Sequence, residues 1–351
     1  MRGAALAVLS LLLGCDPGAV APRGAERHWV PTADGAWVSL RRYPAPGRPP
    51  VVLCHGISSN HRFWDLEPGR SLALYLSASG FDVWNLDLRG HGLAERGPDG
   101  LPPPAGWTLD QYGAYDLPAA FDYVTRATGA DRLGYVGHSM GGIALAGALA
   151  EGAVPALGAA VLVGSPLSFA DPAAPLAVSL RAAGLAAALP SLPSGAGASL
   201  LARTGGAGAL LPHLYREDNL AADAARRMLA SVVSPLSSGE LVQFGRAAED
   251  GELRRARDGA VLRQLLGEVT VPTLFLAGAS DAIATPRQVW AFHQAMPAAE
   301  RGFVLLSRDR GFARDYGHLD LGLGDRAQGE VYPLVARWLW THQGPLPHPV
   351  R

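Results

Sequence analysis

The sequence predicts an α/β domain built on a mostly parallel central sheet flanked by helices, and three observations point to it. Short apolar runs bounded by turn residues recur at 51–54, 81–86, 133–136, 159–163, 273–277 and 303–306. Such runs suit strands buried on both faces of a parallel sheet. Helical stretches separate them, for example Val331, Leu334, Val335, Trp338 and Leu339, which share one helical face. Strand and helix signals therefore alternate, as in α/β folds. With 351 residues, 48% hydrophobic and 17% charged, the chain can bury a sizeable core and is neither disordered nor fibrous.

Composition excludes several chemistries. The net charge of -1 makes no electrostatic case for nucleic acid as a partner. All 30 basic residues are arginine, so every mechanism that needs a lysine amine is ruled out: Schiff bases, P-loop phosphate binding, Ser-Lys dyads. Two cysteines, Cys15 and Cys54, make neither a disulfide framework nor a cysteine zinc site. The histidines show no metal-ligand spacing, so no metal and no cofactor is implied.

In chain order, a single charge at Arg2 precedes an apolar stretch over 3–14 that ends at Cys15. About ten apolar residues span roughly 15 Å as a helix, half of a bilayer core. The segment 1–15 therefore has the shape of a secretory signal and not of a membrane span. Its end, Leu12-Leu13-Gly14-Cys15, resembles a bacterial lipobox, whose cleavage exposes the cysteine for lipidation, although that pattern prefers Ala or Ser where Leu13 stands. The resemblance implies a lipid anchor on Cys15, a tether over 16–27 and a membrane-anchored lipoprotein of the bacterial cell envelope. An ordinary signal peptide cleaved nearby gives a periplasmic or secreted protein instead.

Trp29 and the alternating 37–40, split by Asp34-Gly35, read as an opening β-hairpin. The buried-strand runs follow, with one interruption. Between 163 and 273 there are Ala/Leu/Gly-rich stretches and a capping box, Ser237-Ser238-Gly239-Glu240, before Leu241, Val242 and Phe244. We read 169–268 as an inserted helical cap, 28–168 and 269–345 as the core, and 346–351 as a tail. The group Arg254, Arg255 and Arg257 reads as a solvated helix face.

Gly137-His138-Ser139-Met140-Gly141 matches the nucleophile-elbow pattern G-x-S-x-G. With 43 glycines and 20 serines in the chain, roughly 0.3 chance matches are expected, so context decides. A strand signal at 133–136 precedes the motif and a small-residue helix at 143–150 follows it, which is the strand–turn–helix the elbow requires. A serine hydroxyl needs a base, and the base an orienting acid. Asp281 follows the strand at 273–277, and Asp315-Tyr316-Gly317-His318-Leu319-Asp320 follows the strand at 303–306. Both loops leave the same sheet edge as Ser139. Ser139 is thus the expected nucleophile, His318 the general base and Asp281 its orienter, with Asp315 and Asp320 left to hydrogen-bond the loop. Two backbone amides must face the developing oxyanion, and Met140 and Ile57 are the expected donors. His55 reads as a hydrogen bonder that fixes its loop, Asp87-Leu88-Arg89-Gly90-His91-Gly92 as a structural turn, and Cys54 as an inert buried thiol.

Together His55-Gly56, the turn at 87–92, Gly137-His138-Ser139-Met140-Gly141-Gly142, Asp281 and Gly317-His318 resemble the α/β-hydrolase superfamily from about residue 28 to 345. The run from Tyr316 to Gly324 is similar to the histidine loop of acid-lipase-like enzymes, and the run from Leu53 to Trp64 to polyhydroxyalkanoate-synthase-like relatives. Those synthases carry cysteine at the position of Ser139, and haloalkane dehalogenases and epoxide hydrolases carry aspartate; Ser139 counts against all three. The resemblance implies a serine esterase or lipase working through an acyl-enzyme on a small-molecule ester. Leu-rich composition around 196–214 suits an apolar acyl group. Two alternatives stay open: an acyltransferase with the same triad, and a non-catalytic binder of an apolar ligand.

Overall fold

The computed structural model describes residues 25–170, 191–192, 214–267, 270–297 and 300–343. The signal-like segment with Cys15, the tail 346–351 and nearly all of the Leu-rich stretch lie outside these residues. Eight strands form one sheet: β1 (Glu26–Pro31), β2 (Trp37–Tyr43), β3 (Pro50–Cys54), β4 (Asp82–Asp87), β5 (Leu133–His138), β6 (Leu157–Val163), β7 (Thr273–Gly278) and β8 (Arg301–Leu306). Their spatial order is β1-β2-β4-β3-β5-β6-β7-β8. β3 to β8 run parallel, and β2 is antiparallel to both of its neighbours.

The sheet is mostly parallel because its strands can be buried on both sides. In β3, Val52 and Cys54 face one apolar cluster while Val51 and Leu53 face the other. β7 alternates the same way, with Phe275 and Ala277 against Leu274 and Leu276. Helices α2 (Leu117–Thr128), α3 (Met140–Ala150) and α6 (Pro286–Ala295) cover the first face, and α1 (Leu72–Ala78) and α7 (Tyr332–His342) the second. The opening hairpin pairs Val30 with Val38 and Trp29 with Ser39 across a turn in which Gly35 takes φ +85°. A side chain would be strained there.

Within the insertion between β6 and β7, α4 (Ala222–Ser231) and α5 (Ser238–Asp250) are helical, and the Ser237–Glu240 capping box starts α5. Phe244, Ala247 and Ala248 of α5 belong to the first apolar cluster, and Ala224, Met228 and Leu229 of α4 to the second. The arginine group departs from expectation. Gly251 ends α5 in the left-handed region, so Arg254, Arg255 and Arg257 lie beyond the helix. Arg255 and Arg257 instead close on Glu151 at 2.8 and 2.6 Å.

The turn after β4 is held by its own side chains. Asp87 accepts from the His61 amide and ring at 2.7 and 2.8 Å and from the Leu93 amide at 3.0 Å. Burial works against its charge, yet these partners hold the carboxyl down at about 2. Arg89, buried, joins Asp116 through Nε and Nη2 at 2.8 and 2.6 Å and Asp34 of the opening turn at 2.6 and 2.8 Å.

Candidate active site

β5 ends at His138, and α3 begins at Met140. The single residue between them, Ser139, is held at φ +51°, ψ -114°. Non-glycine residues in this region cost about 1–3 kcal/mol and persist only where the surroundings fix them. Here the Ser139 amide donates to Val163 O at the end of β6, 2.9 Å away, and its carbonyl accepts from Gly142 at 3.0 Å. The sharp turn also needs bare backbone. A Cβ on Gly137 would lie 2.8 Å from the Gly142 amide, and one on Gly141 2.8 Å from His55 O. Ser139 itself is only 6% exposed, so the strand–turn–helix holds it buried and not at the surface.

The other two expected residues meet directly. Asp281 Oδ1 accepts the Ile283 and Ala284 amides, each at 2.8 Å. Its second oxygen, Oδ2, lies 2.8 Å from His318 Nδ1. A carboxylate so placed accepts, so Nδ1 carries the proton shared with Asp281 and Nε2 is the ring nitrogen outside this bond. Gly164, next to the Val163 carbonyl that binds Ser139, adjoins this pair: a Cβ there would be 3.3 Å from both Asp281 Oδ2 and His318 Nδ1. The carboxylates nearer His318 in sequence serve the backbone. Asp315 accepts from the Arg308 amide at 2.9 Å, and Asp320 from the Gly317 amide at 3.0 Å.

The loop after β3 packs over the elbow. A Cβ on Gly56 would come within 3.2 Å of Ser139 Cβ and 2.8 Å of His138 Nδ1. His55 fixes this loop, its Nδ1 on Gly56 O at 2.8 Å and its Nε2 accepting from the Leu88 amide at 3.3 Å. Burial lowers its pKa, in keeping with a neutral ring. Ile57 follows, packed on the first apolar cluster, to which the buried Met140 also belongs. Cys54 is buried, and burial pushes its thiol up to about 12, far from a reactive thiolate. Among the described residues, no group of three His, Cys, Asp or Glu side chains could hold a metal ion, and no helix is long and apolar enough to cross a membrane.

Spacing along the chain gave no sign of His138. Its buried ring stacks on Phe63 at 4.1 Å, and its Nε2 donates to His318 O at 3.1 Å. Burial holds its pKa well below the usual histidine value, so the ring is a neutral spacer between the elbow and the histidine loop. Two further links join residues far apart in sequence: Asn219 to Asp320 at 2.8 Å, and Tyr112 to Glu240 at 2.8 Å.

The model of the α/β-hydrolase fold family matches residues 49–319. Among curated relatives, Lipase 3 of Drosophila melanogaster is 35% identical over 127 residues, 33% of this chain and 32% of its own length. Human lipase member K is 38% identical over 128 residues, with the same shares. Human gastric triacylglycerol lipase is 36% identical over 129 residues. The chain thus spans about a third of the length of the curated relatives it matches. Solved structures align over far more of it. A thermophilic esterase from Thermogutta terrifontis superposes with TM-score 0.61 at 21% identity, covering 91% of this chain and all (100%) of that one. A soluble variant of monoglyceride lipase from Saccharomyces cerevisiae gives 0.62 at 18% identity, covering 94% and 98%. Family match, sheet order and elbow agree: the chain belongs to the α/β-hydrolase fold family.

Proposed function

We propose that this protein hydrolyses carboxylic esters through an acyl-enzyme on Ser139. The observation that carries the reading is the 2.8 Å pairing of His318 Nδ1 with Asp281, on the sheet edge where the strained Ser139 begins α3. The lipase and esterase names of the relatives and structural neighbours support the same reaction class. In the first half-reaction His318 Nε2 takes the Ser139 proton as Oγ attacks the ester carbonyl. The Ile57 and Met140 amides receive the oxyanion, and His318 then protonates the departing alcohol. Water repeats the sequence against the acyl-enzyme, with His318 as base, and frees the acid and Ser139. Asp281 keeps the imidazole in the Nδ1–H tautomer and steadies its cation. The substrate is a small ester with an apolar acyl group, a choice supported by the Leu-rich composition around 196–214.

The test is intact mass after exposure to a fluorophosphonate, read beside turnover of a short-chain ester. Wild type should gain one adduct and turn over the ester; Ser139→Ala should do neither while keeping its fold. An unlabelled but folded wild type, or an active Ser139→Ala, would overturn the assignment. We further propose that a lipid on Cys15 holds the enzyme at the bacterial membrane, on the strength of Leu12-Leu13-Gly14-Cys15. Metabolic labelling with a fatty acid should mark the wild type and spare Cys15→Ser; equal labelling of both sinks that proposal.

A further inference from the structure

We propose that Asp320 is a positioning residue for His318 and ties the base to chain segment 214–219, which enters from the insertion between β6 and β7. The proposal rests on His318 being the base, as argued above.

Asp320 is fully buried, and among the described residues no cation pairs with it. Its carboxylate is satisfied by donors from two separate stretches of chain. The Gly317 amide lies 3.0 Å from each oxygen, the Arg216 amide 3.2 Å from Oδ1, and the Asn219 side-chain amide 2.8 Å from Oδ2. Burial pushes its pKa up, so the site is costly to hold charged. A carboxylate placed there does what an apolar residue cannot: it gathers three donors at one point.

Those donors bracket the base. Gly317 is the residue before His318, and its turn closes so tightly that a Cβ would sit 2.7 Å from Asp320 Oδ1 and 3.2 Å from Tyr215 Cα. One residue after His318, the Leu319 amide donates to Leu214 O at 2.9 Å, and further on the Asp325 amide donates to Asn219 O at 2.6 Å. The segment 214–219 is therefore laced to the histidine loop on both sides of the base. Opposite, His138 holds the His318 carbonyl, and Asp281 holds the ring. If 214–219 lifts away, Asp320 loses two of its three donors and is left with the Gly317 amide alone.

Misplacement of a reacting group by about 1 Å costs about a hundredfold in rate. The experiment compares full-length wild type, Asp320→Ala, Asp320→Asn, Asn219→Ala and His318→Ala for kcat and KM on a short-chain ester, for fluorophosphonate labelling rate and for thermal midpoint. Asp320→Ala should lower kcat and labelling together, by about ten- to a hundredfold, with KM within about twofold. Asn219→Ala, a milder change, should lower kcat by a smaller factor at an unchanged KM. Asp320→Asn should recover most of the loss, because Asn219 can turn its amide and offer oxygen to the new NH2 group. Folded Asp320→Ala and Asn219→Ala with wild-type kcat, beside an inactive His318→Ala, would overturn the proposal and leave ester hydrolysis standing. So would an Asp320→Asn that is folded and as slow as Asp320→Ala. An active His318→Ala would instead remove the base on which the proposal rests. Should Asp320→Ala not fold, Asn219→Ala and Asp320→Asn decide.

Discussion

At the scale of single residues, the site depends on atoms that are missing as much as on those present. Ser139 reaches its positive φ because Gly137, Gly141 and Gly56 let three backbones meet around it. Gly141→Ala tests this. Its Cβ would fall 2.8 Å from His55 O and 2.9 Å from Cys54 O, both backbone atoms that cannot swing aside. Urea unfolding should show a loss of about 1–3 kcal/mol, the usual cost of overpacking, and Ser139 labelling should slow as the loop at 55–57 is pushed away. Gly329→Ala is the control: nothing lies within 4 Å of its Cβ, and stability should hold or rise slightly. The motif G-x-S-x-G was legible in sequence, but not what the side chain at x does. His138 reaches the carbonyl of a residue 180 positions away, and no local pattern encodes that contact.

At the scale of elements, α5 is joined to the core by a buried polar cluster. Tyr112 Oη meets Trp107 Nε1 at 2.7 Å, His91 Nε2 at 2.9 Å and Glu240 Oε1 at 2.8 Å. His91 Nδ1 faces Ser59 O at 2.9 Å and so carries the ring proton, which leaves Nε2 as an acceptor. One tyrosine hydrogen cannot serve both His91 and an ionised Glu240. A proton on Glu240 completes the cluster, because Glu240 then donates to Tyr112 and Tyr112 to His91. Burial acts the same way and pushes Glu240 up to about 7, while it drives His91 down to about 3. His55, Asp87 and Asp116 are the other titratable groups facing this cluster. A folded-state pKa raised from 4.5 to about 7 means that the folded protein holds the proton longer than the unfolded chain. The stabilisation is full below the ordinary glutamate value and is lost as pH rises through about 7. Chemical unfolding across that range should show wild type losing stability relative to Glu240→Gln, whose amide donates to Tyr112 at every pH. Parallel curves for the two proteins would refute the shared proton.

At the scale of the whole molecule, one sheet with two apolar faces sets where chemistry can occur. The parallel strands end together at Cys54, Asp87, His138, Val163, Gly278 and Leu306, and the loops that follow carry His55 to Ile57, Ser139, Asp281 and His318. All six apolar runs and the opening hairpin were readable; five of those strands are buried along their length, while β8 at the sheet edge is buried only at Leu306. Their ends were not, since β5 continues through Gly137 and His138, whose composition carries no strand signal. The arginine group was misplaced because a left-handed Gly251 ends α5 before it, and its partner Glu151 lies about a hundred positions back in the chain.

By itself the sequence determined the fold class and the strand–turn–helix around Ser139, since periodicity and turn chemistry act between neighbours in the chain. Only the tertiary structure decided which buried polar groups meet: His138 with the His318 carbonyl, Asn219 with Asp320, Glu240 with Tyr112. These pairs are more than a hundred residues apart, and each forms because a polar group taken out of water must find a partner wherever the packing brings one.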